Sequence, residues 1–212
     1  MIAGMDEAGR GSVLGPLAIS VVAGREKDFL SLGLKDSKLL TREQREELYP
    51  EITKKFYHAT VLVTAAELNE LMKTHSLNEI EAMKGAYLLD EMPHKCREVI
   101  VDSPDPHAHK FAERILSHSS KKHTIRAEHK ADFNYPVVSA ASIVAKVRRD
   151  WEIDRIREEL RLNFSSGYPS DEATVDAVRE MLRTGKGKQY VRMRWSTVES
   201  ILANQQKLHD YF

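Results

Sequence analysis

Four carboxylates stand where apolar runs stop. Asp6 and Glu7 follow IAGM (2–5), Asp102 ends EVIVD (98–102), and Asp132 sits in EHKADFNYP just before a long helical pattern. If the first and fourth strands are neighbours, three or four of these acids converge at one end of a sheet. Acids that close repel and raise one another's pKa, so the arrangement calls for a counter-charge. A hard divalent cation supplies it. Oxygen-only donors favour Mg²⁺ or Mn²⁺, and four carboxylates can hold two such ions roughly 4 Å apart. Taken singly, each acid reads more readily as a helix cap or turn residue; only the joint placement points to metal. Histidine offers a rival, but His107 and His109 have no evident third partner. With His118 and His123 they read as surface residues.

The first strand runs into Gly9-Arg10-Gly11, then Gly15-Pro16. Glycine lets a backbone approach closely and opens amide N–H groups toward anions. The dinucleotide pattern G-x-G-x-x-G fails because position 14 is Leu, and no G-x-x-x-x-G-K-[ST] phosphate loop is present. Beside two candidate metal ligands, and carrying an arginine, this turn could hold a phosphodiester. No convincing Ser/His/Asp or Cys/His set offers a protein nucleophile. Cys96 is the one cysteine, which excludes an internal disulfide and a multi-thiolate zinc site.

The elements that must position these residues are legible from pattern. Strands are expected at 2–5, 17–23, 57–63, 98–102 and near 122–127. Thr41-x-x-Gln44 has the form of a capping box opening a helix to about Lys55, while Thr64 and Ser76 cap the next two. Helices at about 107–118, 137–161, 171–183 and 196–206 complete the reading, with SSGYPSD (165–171) as a loop. Early strands followed by alternating helices indicate an α/β mixed sheet covered by helices. The segment after 137, which has no strand pattern, is expected to pack as a semi-separate helical part.

The chain has 212 residues, 42% hydrophobic and 30% charged, as expected for a globular protein with a sizeable core. An N-terminus with acids at positions 6 and 7 and no apolar run argues against a secretory leader, and no stretch is apolar enough for a membrane helix. The reading is cytoplasmic. Net charge is zero, which argues against bulk polyanion binding, yet residues 1–106 carry 13 Lys+Arg against 18 Asp+Glu and residues 107–212 carry 19 against 14. The run 183–198 holds five basic residues and no acid, with Tyr190 and Trp195 among them; it suits a phosphate backbone or a solvated helix face equally.

DEAGRG (6–11), KDSK (35–38), VDS (101–103), HKAD (129–132) with PVVSAASIVAK (136–146), and SGYPSD (166–171) together resemble type 2 ribonuclease H, the ribonuclease HII family. VRMRW (191–195) and the chain length look like its archaeal branch. The resemblance implies a ribonuclease H-like fold, a five-stranded mixed sheet flanked by helices with a C-terminal helical extension. It divides the chain into a catalytic core (1–162), a substrate-binding extension (163–204) and a tail (205–212). It also implies an endoribonuclease that cuts the RNA strand of RNA–DNA hybrids and nicks 5′ to ribonucleotides embedded in duplex DNA. The expected mechanism uses two metal ions and leaves 5′-phosphate and 3′-hydroxyl ends.

The family's four acids fall on Asp6, Glu7, Asp102 and Asp132, the set chosen above from strand ends. Its junction-recognising motif falls on Gly9, Arg10 and Gly11, and its 2′-hydroxyl-sensing tyrosine on Tyr168. Lys38, Lys146, Arg192 and Arg194 are expected to hold phosphates without reading bases. Type 3 relatives carry an N-terminal extension, which is not expected here. A DNA-only nuclease of the same fold would need no 2′-OH, and a non-catalytic binding module would have no use for four acids at one sheet end. Gln205, Leu208, Tyr211 and Phe212 fit Q-x-x-L-x-x-[YF]-[YF], resembling the box that docks on the sliding clamp PCNA; the alternative is an apolar C-terminal staple. A monomer is expected.

Overall fold

The computed structural model describes residues 1–32, 34, 40–93 and 96–210, the last six by their backbone. Five strands and nine helices are found among them: β1 (Ile2–Ala8), β2 (Leu17–Gly24), α1 (Glu26–Leu30), α2 (Arg42–Lys55), β3 (Tyr57–Val63), α3 (Ala65–Leu71), α4 (Leu77–Glu91), β4 (Glu98–Asp102), α5 (Ala108–His118), β5 (Ile125–Glu128), α6 (Ala131–Asn134), α7 (Pro136–Leu160), α8 (Glu172–Thr184) and α9 (Ser196–Asp210). The sheet order is β3-β2-β1-β4-β5. β1 runs antiparallel to β2 and parallel to β4, and β4 is parallel to β5. Parallel neighbours need crossovers, and α4 and α5 supply them.

The expected caps form. Thr41 and Gln44 make the reciprocal capping box, with 3.3 Å and 2.8 Å bonds. Thr64 and Ser76 accept from the Glu67 and Glu79 amides at 3.1 Å and 3.2 Å. Two short helices, α1 and α6, went unforeseen because helices of five and four residues carry too little periodicity to read. α9 continues four residues past its expected end at 206.

The chain forms two compact units, each drawn from three stretches of the sequence. One comprises residues 1–8, 18–62 and 75–148, and holds the sheet with the first half of α7. There Ile2, Val22 and Ile100 pack against Val137, Val138, Ala141 and Val144. Small residues on both surfaces bring strand and helix close: a Cβ on Gly4 would lie 2.4 Å from the Val137 carbonyl carbon. The other unit comprises 9–17, 63–74 and 149–212. Its core gathers Val13 and Leu14 from the glycine-rich turn, Ile153, Ile156 and Leu160 from α7, Val178 and Met181 from α8, and Val198 and Ile201 from α9. The apolar turn residues and the second half of α7 need these helices for cover, which is why the boundary falls at 148. Among the described residues no helix is long and apolar enough to cross a membrane.

Candidate active site

β1 and β4 deliver Asp6 and Asp102 to the same end of the sheet. The parallel register pairs Met5 with Val101, so the two aspartates follow one step later on neighbouring strands. Strand alternation settles the faces. Gly4 abuts Val137 and Ala8 packs with Ala145, so Asp6 between them faces α7; Asp102, two residues after Ile100, shares that face. Glu7 therefore leaves β1 on the opposite side, where Met5 meets α4 at Gly85. Its main chain remains beside the site, because the Glu7 amide donates to Asp6 Oδ1 at 2.8 Å. Asp132 arrives on α6 and is 3% exposed. The Ala131 amide donates to Asp102 Oδ1 at 2.7 Å, which ties α6 to the end of β4.

Asp6 is 5% exposed, and its carboxyl is pushed up to about 7. Burial is the largest cause and the negative charge of Asp102 the next; the Ser142 hydroxyl and the Lys146 ammonium pull it back, and Asp132 adds to the rise. So Asp102 and Asp132 both act on Asp6, with α7 contributing a hydroxyl and an ammonium. Among the described residues no three His, Cys, Asp or Glu side chains already form a closed cation cage. A divalent cation fits this set: the donors are all oxygen, and its charge would offset the repulsion that raises Asp6. Glu128, which sequence reasoning passed over, sits opposite Asp102 in the ladder, but it accepts the Tyr135 hydroxyl at 2.9 Å and 3.0 Å.

The glycine-rich turn lies in the other compact unit. Gly9 has φ +86°, a left-handed conformation that glycine adopts without strain. Ser12 closes the turn through its amide to the Gly9 carbonyl at 3.2 Å. Val13 and Leu14 donate to the Gly167 carbonyl at 2.9 Å and 3.2 Å, joining this turn to the SGYPSD loop. A Cβ on Gly11 would meet the Tyr168 ring at 3.9 Å, so turn and tyrosine form one surface. Asp171 secures the loop by accepting from Thr174, Ser165 and Ser166; the Thr174 hydroxyl is the chief cause holding its carboxyl well below the usual range.

The basic residues divide. Lys146 is half-buried near Asp6, and Arg194 is exposed. Lys38 lies outside the described residues. Arg192 is corrected: it is fully buried, and its guanidinium donates to the Gly15 and Arg10 carbonyls at 3.0 Å and 3.2 Å while lying over Trp195. Buried against these carbonyls, it braces the turn. Arg149 was missed, because an arginine within the charged run after Lys146 reads as solvated surface. His107 and His109 are exposed, as expected. In the tail, Gln205 and Leu208 lie in the backbone of α9, while Tyr211 and Phe212 lie outside the described residues.

The family model of ribonuclease HII matches residues 3–198. The chain belongs to the ribonuclease HII family. Its relatives include the ribonuclease HII of Archaeoglobus fulgidus, 40% identical over 212 residues and all of both chains. Among solved structures it is similar to ribonuclease H2 from Pyrococcus horikoshii OT3, with TM-score 0.88, 40% identity, and 97% and 99% of the two chains covered. It is also similar to the Archaeoglobus fulgidus ribonuclease HII solved in complex with PCNA, with TM-score 0.85, 39% identity and 95% and 96% coverage. Membership makes the chain a metal-dependent endonuclease that cleaves RNA in RNA–DNA hybrids, on a ribonuclease H-like α/β fold. The expected fold and enzyme class are thereby borne out.

Proposed function

We propose that the chain cuts on the 5′ side of ribonucleotides, both within hybrids and where a single ribonucleotide is embedded in duplex DNA, leaving 5′-phosphate and 3′-hydroxyl ends. The observation that carries this reading is the delivery of Asp6 and Asp102 to one sheet end by neighbouring parallel strands, with the helix of Asp132 tied to Asp102. Two divalent cations, Mg²⁺ or Mn²⁺, held by Asp6, Asp102 and Asp132 with the main chain of Glu7 beside them, would supply activation of the attacking water and charge for the leaving 3′-oxygen. Lys146 brings an ammonium next to Asp6, where it can meet the scissile strand's phosphate. Ribose is told from deoxyribose by its 2′-OH alone, and the Gly9–Gly11 amides and the Tyr168 hydroxyl are the groups suited to reading it. Arg10 and Arg194 hold phosphates without base preference.

We further propose that the enzyme acts as a cytoplasmic monomer and docks on PCNA through Gln205, Leu208, Tyr211 and Phe212. The motif spacing and the archaeal relative solved with PCNA support this. The decisive assay incubates the protein with duplex DNA carrying one ribonucleotide, with and without Mg²⁺, and maps the cut. One incision 5′ to the ribonucleotide, seen only with Mg²⁺, is expected. Equal cleavage of the all-DNA duplex would overturn the reading in favour of a DNA nuclease.

A further inference from the structure

Tyr168 lies on another side chain. The guanidinium of Arg149 lies under its ring, with Cζ 4.6 Å from the ring centroid. Arg149 is 4% exposed, three residues along α7 from Lys146. Nη2 donates to Ser12 Oγ at 3.0 Å and to the Ser166 carbonyl, and Nη1 to Asp150 at 3.2 Å. Ser12 Oγ in turn lies 2.7 Å from both the Leu14 and Gly167 carbonyls. The glycine-rich turn is seated against the same group: a Cβ on Gly9 would lie 2.7 Å from Nε. One buried cation thus touches the Gly9–Ser12 turn, the Ser166–Gly167 turn and the tyrosine.

Burying a guanidinium is costly, and an apolar side chain of similar volume would brace two loops as well or better. What the apolar side chain lacks is a flat cationic face for an aromatic ring and a fork of fixed N–H directions. We propose that Arg149 is the positioning residue of the ribose-reading surface: its face sets the tilt of Tyr168, and its Nη2 fixes the spacing between that tyrosine's turn and Gly9–Gly11. The inference rests on the reading that these two turns contact the 2′-hydroxyl. A single embedded ribonucleotide offers one chance of registration and a hybrid many, so misalignment weighs more on the former.

R149K, Y168A and the double variant test it, each assayed on a single-ribonucleotide duplex and an RNA–DNA hybrid of the same sequence, with Tm recorded. R149K keeps the charge and loses both face and fork. It should raise KM for the single-ribonucleotide duplex about tenfold and for the hybrid under about threefold, with kcat within about threefold on both. Adding R149K to Y168A should cost nothing more, since the ring it aligns is gone. Equal proportional losses on both substrates, tracking a lowered Tm, would make Arg149 a stability brace and overturn the proposal. A parental KM ratio in R149K beside a shifted ratio in Y168A also sinks it, while leaving the 2′-OH reading intact. A parental ratio in Y168A sinks that reading and the proposal with it. Should R149K fail to fold, S12A removes one of the two Nη2 acceptors, the one on the glycine-rich turn, and keeps the stack. It should shift the ratio the same way by about threefold, and an unchanged ratio counts against the proposal.

Discussion

Asp6 sits in a place that disfavours its own charge. Its folded carboxyl titrates at about 7 against an ordinary 3.8, so between those values the folded state holds a proton that the unfolded state has released. Stability in chelator therefore falls as pH rises from about 4 to about 7 and levels off above. Asp6→Asn removes that slope. In EDTA its Tm should match the parent's at or below about pH 4 and exceed it by a few degrees at pH 8, while cleavage under saturating Mg²⁺ drops at least about a hundredfold. A parent whose melting is flat from pH 5 to 8 would refute this account, and activity within about tenfold of the parent would remove the assigned role. Asp90 and Asp171 act in the opposite direction: both carboxyls are held low, so what they contribute is lost only as pH falls below the ordinary carboxylate range. Asp102→Asn should abolish cleavage likewise, since its charge is the second cause acting on Asp6. The meeting of Asp6 and Asp102 was legible because each ends an apolar run that reads as a strand. Arg192 was not: a basic run with aromatics looks the same whether its arginine meets a phosphate or, as here, two buried carbonyls.

Between elements, the contact that positions the site is β1 against α7. Ser142 and Lys146 reach Asp6 only because α7 approaches the strand closely at Gly4. Gly4→Ala would put a Cβ 2.4 Å from the backbone of Val137 and force the two apart. Such overpacking costs about 1–3 kcal/mol, and kcat should fall with it as the helix withdraws its hydroxyl and ammonium. Gly85→Ala is the control. Its Cβ would meet the Met5 Cε at 2.9 Å, the flexible end of a side chain, and alanine favours the helix by about 1 kcal/mol. Urea melts should therefore separate the two, with Gly85→Ala near neutral; equal losses would refute the close-packing argument. Pattern revealed α7 and β1 as elements, since both are long apolar runs. It could not reveal which face of β1 meets which helix, because both faces are buried, and so it grouped Glu7 with Asp6 where alternation sends them to opposite sides.

At the scale of the whole molecule, the proposed docking role of the tail predicts that the end of α9 contributes to recruitment and not to folding. Val198 and Ile201 are buried in their unit's core and Leu202 packs against it, so the helix is seated by its first two turns. The backbone then stays helical to Asp210. Residues 205–212 carry the spacing of a clamp-docking box, in which two apolar positions three apart share a helical face and glutamine satisfies polar groups beside a pocket. Removing them leaves the seated turns in place. On the docking reading the deletion should keep hybrid cleavage within about twofold and Tm within about 2 °C. Binding to PCNA, followed by calorimetry, should vanish. Two aromatics at a chain terminus could instead fold back as a staple, and that alternative makes the opposite forecast: a Tm lower by several degrees, with PCNA affinity for the full chain absent from the start. The two measurements together decide, because a docking tail is silent in the melt and loud in the titration.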